Sequence, residues 1–328
     1  MPAGTVGPVT SGAVSLLGEL FQSGKRPNAF LRLIGGIAGG VKETLAYQFP
    51  TSVIYNLRTP AQAVALEGAA APAAQNRTLS QAQNVIEIHQ EAVTITYLAE
   101  SDKTMGGVVP LPTASANGPV INPRDINWQL MTAIETISQD VNFAFLNGVY
   151  ANPANASATA LQTRGLLTAL ATNVFDSSAD VGTTTVTYKA YVEKLAQMIV
   201  SSTGFQPDNT WTIMAGVNEY NNIQAAYESK TTAPYNREIA GLQIKQIYTR
   251  MGILNLAMDP DMPAQTFAIM NLGVVAPVGM PVPDKGIIFA EPLARTGSGE
   301  PWQIYGQLGL DHGPEFVHGK AKVPVVTL

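Results

Sequence analysis

Residues 58–83 form an Ala-rich, polar run punctuated by Pro60, Glu67-Gly68, Pro72 and Asn76-Arg77. It is set between two strand-like stretches, 47–56 and 84–98, and a long helical pattern opening at Asn122-Pro123 comes after them. Such a run carries too little apolar mass to form a core of its own, so it becomes ordered by lying on another surface. The nearest available surface is a second copy of the chain. That points to assembly rather than chemistry.

Composition agrees. Of the 328 residues 46% are hydrophobic and only 13% charged, against a usual charged share of roughly a quarter. A surface so poor in charge suits a protein that hides much of its exterior against neighbours. Length predicts one large domain or two interleaved ones. The net charge of -5 carries no basic stripe, and Lys25-Arg26 is the one adjacent basic pair, which argues against a nucleic-acid footprint. The absence of cysteine excludes disulfides, thiolate metal sites and cysteine nucleophiles. No apolar run is long enough to span a bilayer, and residues 1–14 lack the pattern of a signal peptide. The chain reads as soluble and unsecreted, with no membrane partner.

Residues 1–40 are rich in Gly, Ala, Ser and Pro, with short apolar stretches at 14–21 and 30–34. They read either as an extended arm with a helical turn or two, or as a disordered tail. In 47–56, Pro50 predicts an edge strand or one that starts after the proline. Along 84–98 the apolar residues fall first on even positions (Ile86, Ile88) and then on odd ones (Val93, Ile95, Tyr97). The buried face therefore changes, by expectation near Gln90, through a bulge or a change of packing environment. The two strands and the intervening run read as a long projecting β-hairpin. Asn122 as cap, Pro123 in the first turn and Asp125 after it predict a helix. Its stripe is Leu130, Ile134, Ile137, Val141 and Phe145, and Gly148 is its stop, giving a strut on the order of 37 Å.

Residues 150–184 read as loop with an ordered insert at 165–170. A second helix is expected from about Thr187, with Tyr188, Tyr191, Leu195, Met198 and Ile199 on its core face, ending before Gly204. A buried strand at 210–215 precedes a third helix, capped by Asn218 and showing Tyr220, Ile223 and Tyr227. Strands are expected at 242–249, 253–258, 267–272, 286–289 and 302–310. The mixture lacks regular βα alternation, so the fold class is α+β.

Signals for catalysis are sparse. His312, Glu315 and His318 have a compact spacing, but Gly313-Pro314 blocks a helix there. On a strand Glu315 faces away from both histidines. They are expected as exposed polar residues at a closing turn. Asp259-Pro260-Asp261 is expected as an ordinary turn. The sequence holds no phosphate loop and no G-x-S-x-G elbow. No metal, no cofactor and no enzymatic activity are expected, and a soluble metal-dependent hydrolase using His312, Glu315 and His318 is the alternative of another class.

The order of parts resembles the major capsid proteins of tailed bacteriophages, and more narrowly their SU10-like branch. The resemblance rests on Glu67-Gly68-Ala69, the β run 84–97 and Phe143-Ala144-Phe145-Leu146-Asn147-Gly148. Gly165-Leu166-Leu167 and Leu293-Ala294-Arg295-Thr296-Gly297 complete it. It implies the HK97-type fold: an N-terminal arm at 1–45, an extended loop and its base at 46–105, and a peripheral domain at 106–160 with a spine helix at 123–148. An axial domain would follow at 161–285, and a return to the peripheral domain at 286–328, pairing with the hairpin's base. Contacts between subunits are then expected at the loop tip, at Arg58, Glu67, Gly68, Asn76 and Arg77. The implied partner is the chain itself, in hexamers and pentamers of an icosahedral shell, with portal, scaffolding and decoration proteins as further partners. The shell would be assembled in the host bacterial cytoplasm and enclose double-stranded DNA without gripping it. Some such shells are locked by a lysine on the extended loop, and residues 58–83 contain none. An encapsulin-like compartment is the alternative within the same fold.

Overall fold

The computed structural model describes residues 26–37, 40–55, 64–71, 76–98, 109–110, 120–121, 126–154, 158–177, 188–208, 210–227, 235–239, 242–295 and 297–324. The elements begin with α1 (Ala29–Leu33), β1 (Lys42–Glu43), β2 (Gln48–Tyr55), β3 (Leu79–Val85) and β4 (Glu87–Thr96). A two-residue pair, β5 (Val109–Pro110) and β6 (Val120–Ile121), precedes α2 (Ile126–Asn147), α3 (Leu166–Ala169), β7 (Val174–Asp176) and α4 (Tyr188–Thr203). Next come β8 (Trp211–Ala215), α5 (Val217–Tyr227), β9 (Tyr235–Ile239), β10 (Leu242–Thr249), β11 (Gly252–Met258) and β12 (Thr266–Asn271). The chain closes with β13 (Ala276–Gly279), β14 (Ile288–Pro292), β15 (Gly299–Asp311) and β16 (Gly319–Lys322). It divides into two units. One comprises Met1–Arg26, Gln90–Ile137 and Ile288–Tyr305; the other comprises Pro27–His89, Ser138–Ile287 and Gly306–Leu328.

The larger unit is built on a seven-stranded sheet in the order β7-β16-β12-β8-β11-β10-β9. Its centre is β8, whose five residues are all buried, as an apolar run covered on both faces must be. On one face lie Tyr188, Tyr191, Leu195 and Ile199 of α4 and Ile223 of α5, packed against Ile213, Phe267, Ile269 and Ala321. The tyrosine stripe is thus core, as its spacing predicts. Helix α4 stops at Gly204, which takes φ +72° and donates its N–H to the Val200 carbonyl at 2.7 Å. Thr187, where that helix was expected to open, lies outside the described residues.

Helix α5 corrects one expectation. It begins at Val217, so Asn218 sits inside the first turn rather than capping it. Only Gly216 separates β8 from the helix, which leaves no room for a separate capping loop. Glu219 is buried in the first turn, and its carboxylate accepts the Gln265 N–H at 2.9 Å. Strand β7 was read as loop, and no element was expected where β9 stands. They form the two edges of the sheet, where polar, short segments carry little periodicity. The closing strand differs too. Instead of returning towards the base of the hairpin, β16 inserts between β7 and β12.

Residues 29–34, read as part of an arm with a helical turn or two, do form a helical turn, but a buried one. Ala29, Phe30, Leu31 and Ile34 are buried, Phe30 completely. The Phe30 N–H donates to Asp259 Oδ2 at 2.9 Å and the Leu31 N–H to Asn142 Oδ1 at 3.0 Å. Asn142 Nδ2 in turn reaches Asp261 Oδ2 at 2.8 Å. The Asp-Pro-Asp segment is a turn, but its carboxylates are buried: Asp259 holds the α1 backbone directly and Asp261 holds the Asn142 amide that does so too. Burial pushes the Asp259 carboxyl up, against the hydrogen bonds from Phe30, Asp261 and Asn142 that lower it. Phe30→Ala is expected to cost roughly 3–5 kcal/mol of unfolding free energy. Denaturant titration of the subunit checks it, and a cost below about 1 kcal/mol would show that α1 is not anchored by this ring.

Helix α2 is described from Ile126, so Asn122, Pro123 and Asp125 fall outside the described residues. Its 22 residues span about 33 Å. The buried stripe is Ala133, Ile137, Val141, Ala144 and Phe145, whereas Ile134 is 40% exposed and Met131 68%. Its end also differs in kind from a flexible glycine stop. Gly148 carries no positive φ; a Cβ there would lie 2.4 Å from the Ala144 carbonyl and 2.5 Å from that of Thr163. Gly165 faces it, where a Cβ would lie 2.5 Å from Gly148 N. The two glycines let two backbones touch, joined by the Gly165 N–H to Gly148 carbonyl bond at 2.9 Å.

In the larger unit β1 pairs parallel with β13, and β13 antiparallel with the end of β15. In the smaller unit β4 pairs with β15, with Gln303 Nε2 donating to Gln90 Oε1 at 3.0 Å. Along β15 Ile304, Leu308 and Leu310 are buried, matching the alternation in the sequence.

Candidate functional site

Strands β2 and β3 pair antiparallel from Gln48↔Val85 out to Tyr55↔Leu79, and they form a sheet of their own. The register slips between Pro50 and Ser52, leaving Thr51 as the extra residue of a bulge. Proline lacks the N–H that a regular ladder needs, so the irregularity falls where the sequence demands it. The edge position expected of this strand is met by a sheet with only two strands.

The root of the hairpin is held firmly. Phe49 and Ile86 pack with Val278, and a Cβ at Gly309 would lie 2.9 Å from the Phe49 ring. Asn84, fully buried, uses both ends of its amide. Nδ2 donates to the Leu310 carbonyl at 2.8 Å and the Arg164 carbonyl at 3.1 Å, while Oδ1 accepts the Arg164 N–H at 2.7 Å. No sequence pattern singled out Asn84; a buried amide in a strand is visible only once its partners, 80 and 226 residues away, are in place. The change of face also lies here and not near Gln90. Asn84, Val85 and Ile86 are buried consecutively, and beyond them odd positions turn inward, with His89 buried and Ile88 51% exposed. The cause is a change of partner: β3 belongs to the hairpin, and β4 leaves it for β15.

Among the described residues of the hairpin beyond its root, most are exposed. Val53, Tyr55 and Leu79 share one face through the pairs Val53↔Gln81 and Tyr55↔Leu79, and all three are exposed. At the tip Val64 is 84% and Leu66 86% exposed. Gly68 at φ +77° and a bond from the Ala69 N–H to the Leu66 carbonyl (3.0 Å) form the turn there. Glu67, Gly68, Asn76 and Arg77 are all exposed on this tip and its returning limb, while Arg58 lies outside the described residues. Exposed leucine and valine beyond a well-rooted base leave apolar surface uncovered on this subunit.

The histidines correct another expectation. His312 and His318 are buried, not exposed. His318 Nδ1 accepts the Asn271 N–H at 3.1 Å, which leaves the proton on Nε2 to be donated to the His312 carbonyl at 2.9 Å. Glu315 turns to the loop before β7, accepting the Ala171 N–H at 2.7 Å and the Thr172 N–H at 3.2 Å. Those bonds, with the Thr172 hydroxyl, lower its pKa although burial opposes them. The three residues staple a turn together. Among the described residues no group of three His, Asp or Glu side chains could hold a metal, and no helix is long and apolar enough to cross a membrane.

Burial pushes the His318 pKa down from 6.5 to about 4, and that of His89 likewise. Between these values the unfolded chain binds more protons than the folded one. Stability is therefore full above about pH 6.5 and falls as pH drops towards 4, by roughly 3 kcal/mol for His318 alone. Chemical denaturation of the subunit at pH 7 and 4.5 checks the sign. His318→Gln is expected to flatten the slope, and an unchanged slope would locate it elsewhere.

The family profile of the SU10 major capsid protein matches residues 3–324. The chain belongs to the SU10 major capsid protein family. The family's major capsid protein is the structural subunit of an icosahedral tailed-phage shell, located in the virion and built from many copies. No curated protein sequence matches the chain. Among solved structures it resembles the holo-SrpI encapsulin complex from Synechococcus elongatus, at 10% identity and TM-score 0.59, over 97% of this chain and 94% of that one. It also resembles the capsid of a native GTA particle, at 14% identity and TM-score 0.57, over 99% and 98%. A third is the capsid of the cyanophage P-SCSP1u, at 10% identity and TM-score 0.54, over 95% and 93%. Identities this low show the fold, which is the α+β HK97 type. The choice between phage capsid and encapsulin rests on the family match.

Proposed function

We propose that the SU10-type subunit tiles a DNA-filled phage head through its β2–β3 hairpin, acting as the extended loop that lies on the next subunit. The observation that carries this is the contrast within the hairpin: a root fixed by Phe49, Asn84 and Ile86, and a limb whose Val53, Tyr55, Leu66 and Leu79 side chains are exposed. Apolar area and backbone edges of this kind gain free energy only when a neighbour covers them. In this reading α2 is the spine helix of a peripheral domain, and the seven-stranded sheet with α4 and α5 is the axial domain. Tip contacts come from Arg58, Glu67, Gly68, Asn76 and Arg77. Hexamers and pentamers, scaffolding, portal and decoration proteins, and assembly in the bacterial cytoplasm complete it. The subunit is a structural element without catalysis, and the charge-poor, acidic chain encloses DNA without specific binding.

With no lysine in residues 58–83, the shell is held without covalent links from the loop. Purified particles boiled in detergent are expected to run as one band at the monomer mass of 34.7 kDa. A ladder of linked subunits would contradict this. Particles that carry a cargo enzyme in place of DNA would move the function to an encapsulin-like compartment.

A further inference from the structure

At the β7 edge of the seven-stranded sheet lies a cleft of about 370 Å³. Apolar Leu167, Val174, Phe175 and Pro263 line it together with Lys320 and Lys322 of β16. Strand register sets Lys320 beside Val174 and Lys322 beside Asp176. Lys320 Nζ donates to the Leu167 carbonyl at 2.7 Å. Lys322 Nζ stands 3.8 Å from Asp176 Oδ2, with half of its side chain exposed. Two ammonium groups against one carboxylate leave the lining with a net charge of +1. The cleft therefore suits an apolar side chain accompanied by a single negative charge.

The hairpin tip has that chemistry. From Val64 to Ala71 the sequence is VALEGAAA, with Glu67 its one charged residue. The turn at Gly68 holds Leu66 and Glu67 next to one another at the apex, both exposed. We propose that the cleft beside β7 and β16 receives the hairpin tip of a neighbouring copy, with Leu66 among Leu167, Phe175 and Pro263, and Glu67 paired to Lys322. The proposal rests on the reading of the hairpin as the assembly loop and names where that loop ends. Burial of Leu66 drives the contact, whereas the half-exposed ion pair contributes little energy and sets the register of the tip.

Treating intact shells with a water-soluble carbodiimide tests this on the unmodified chain. The reagent activates a carboxylate, a lysine amine in contact attacks it, and an amide forms while the carbodiimide takes up the water as a urea. The expected product, identified by peptide mass spectrometry, is an inter-copy link between Glu67 and Lys322. The link within one copy between Asp176 and Lys322 marks that this lysine is reachable. Glu67→Lys and Lys322→Glu are each expected to lower the yield of closed shells several-fold, and the double variant to restore it. An Asp176 link without a Glu67 link overturns the proposal, as does a Glu19–Lys322 link, which gives the cleft to the N-terminal segment. Single variants that assemble like the wild type, or a double variant no better than either single, overturn it too. In those cases a chain lacking the hairpin would still fail to close, so the cleft would fall and the assembly loop stand. Shells formed without the hairpin would sink both.

Discussion

A chain in which residues 56–78 are replaced by an Asn-Gly turn folds with nearly wild-type stability and forms no closed shells. The turn joins Tyr55 to Leu79, which are already paired, and two-residue Asn-Gly turns suit such hairpins. The described residues removed, 64–71 and 76–78, are all exposed. Their loss is expected to change unfolding free energy by no more than about 0.5 kcal/mol, the range of surface changes that touch nothing. The contribution to assembly is of a different size, because every copy presents the same limb and a shell multiplies each lost contact. Sedimentation separates particles from free subunits, and thermal unfolding reports the fold. A truncated chain that unfolds early would mean the limb packs on its own subunit. One that assembles normally would remove the hairpin from the assembly account.

The largest effect on the subunit itself is expected from Gly165→Ala. A Cβ at 165 would lie 2.5 Å from Gly148 N, 2.7 Å from the Leu146 carbonyl and 2.8 Å from Asn147 N. All three are backbone atoms at the end of α2, so relief requires the helix end to move. That move would disturb Leu146 and Leu166, both completely buried. Overpacking of this kind is expected to cost upwards of about 3 kcal/mol. Gly148→Ala clashes with the carbonyls of Ala144 in its own helix and of Thr163 beside Gly165, at 2.4 and 2.5 Å, and is expected to cost as much. The two losses should add less than fully, since separating the helix end from residues 163–165 relieves the Gly165 clash and part of the Gly148 one. Denaturant titration of the singles and the double checks this. A loss below about 1 kcal/mol in either single, or full additivity, would mean that the two backbones can separate freely.

Much of this architecture is legible in the residues themselves. Strong periodicity placed α2 and α4, and β10, β11 and β12 follow their apolar runs, because burial on one face or both forces a pattern on the chain. Pro50 located an edge, and the Ala-rich run located the hairpin limb. What the sequence hides is pairing at a distance. The β3–β4 switch depends on β15 taking over as the partner, and β16 joins a sheet whose other strands begin far upstream. Ile134 of α2 belongs to the core stripe by spacing yet is 40% exposed, since periodicity marks a face without saying how much of it the subunit itself covers. The buried polar residues were the hardest to read. Asn84, Asn142, Asp259 and His318 look like surface residues, and only their hydrogen bonds explain why they are inside. At the tip, Glu67 and Gly68 drew notice through turn chemistry, while the surface proposed to receive them belongs to a second copy.

The most direct test of the account is electron microscopy of the purified chain, expressed alone and together with candidate scaffolding proteins. The account predicts closed icosahedral shells whose reconstruction shows the β2–β3 hairpin of each copy lying on the next. Particles absent under those conditions, or shells in which the hairpin folds back on its own subunit, would contradict it.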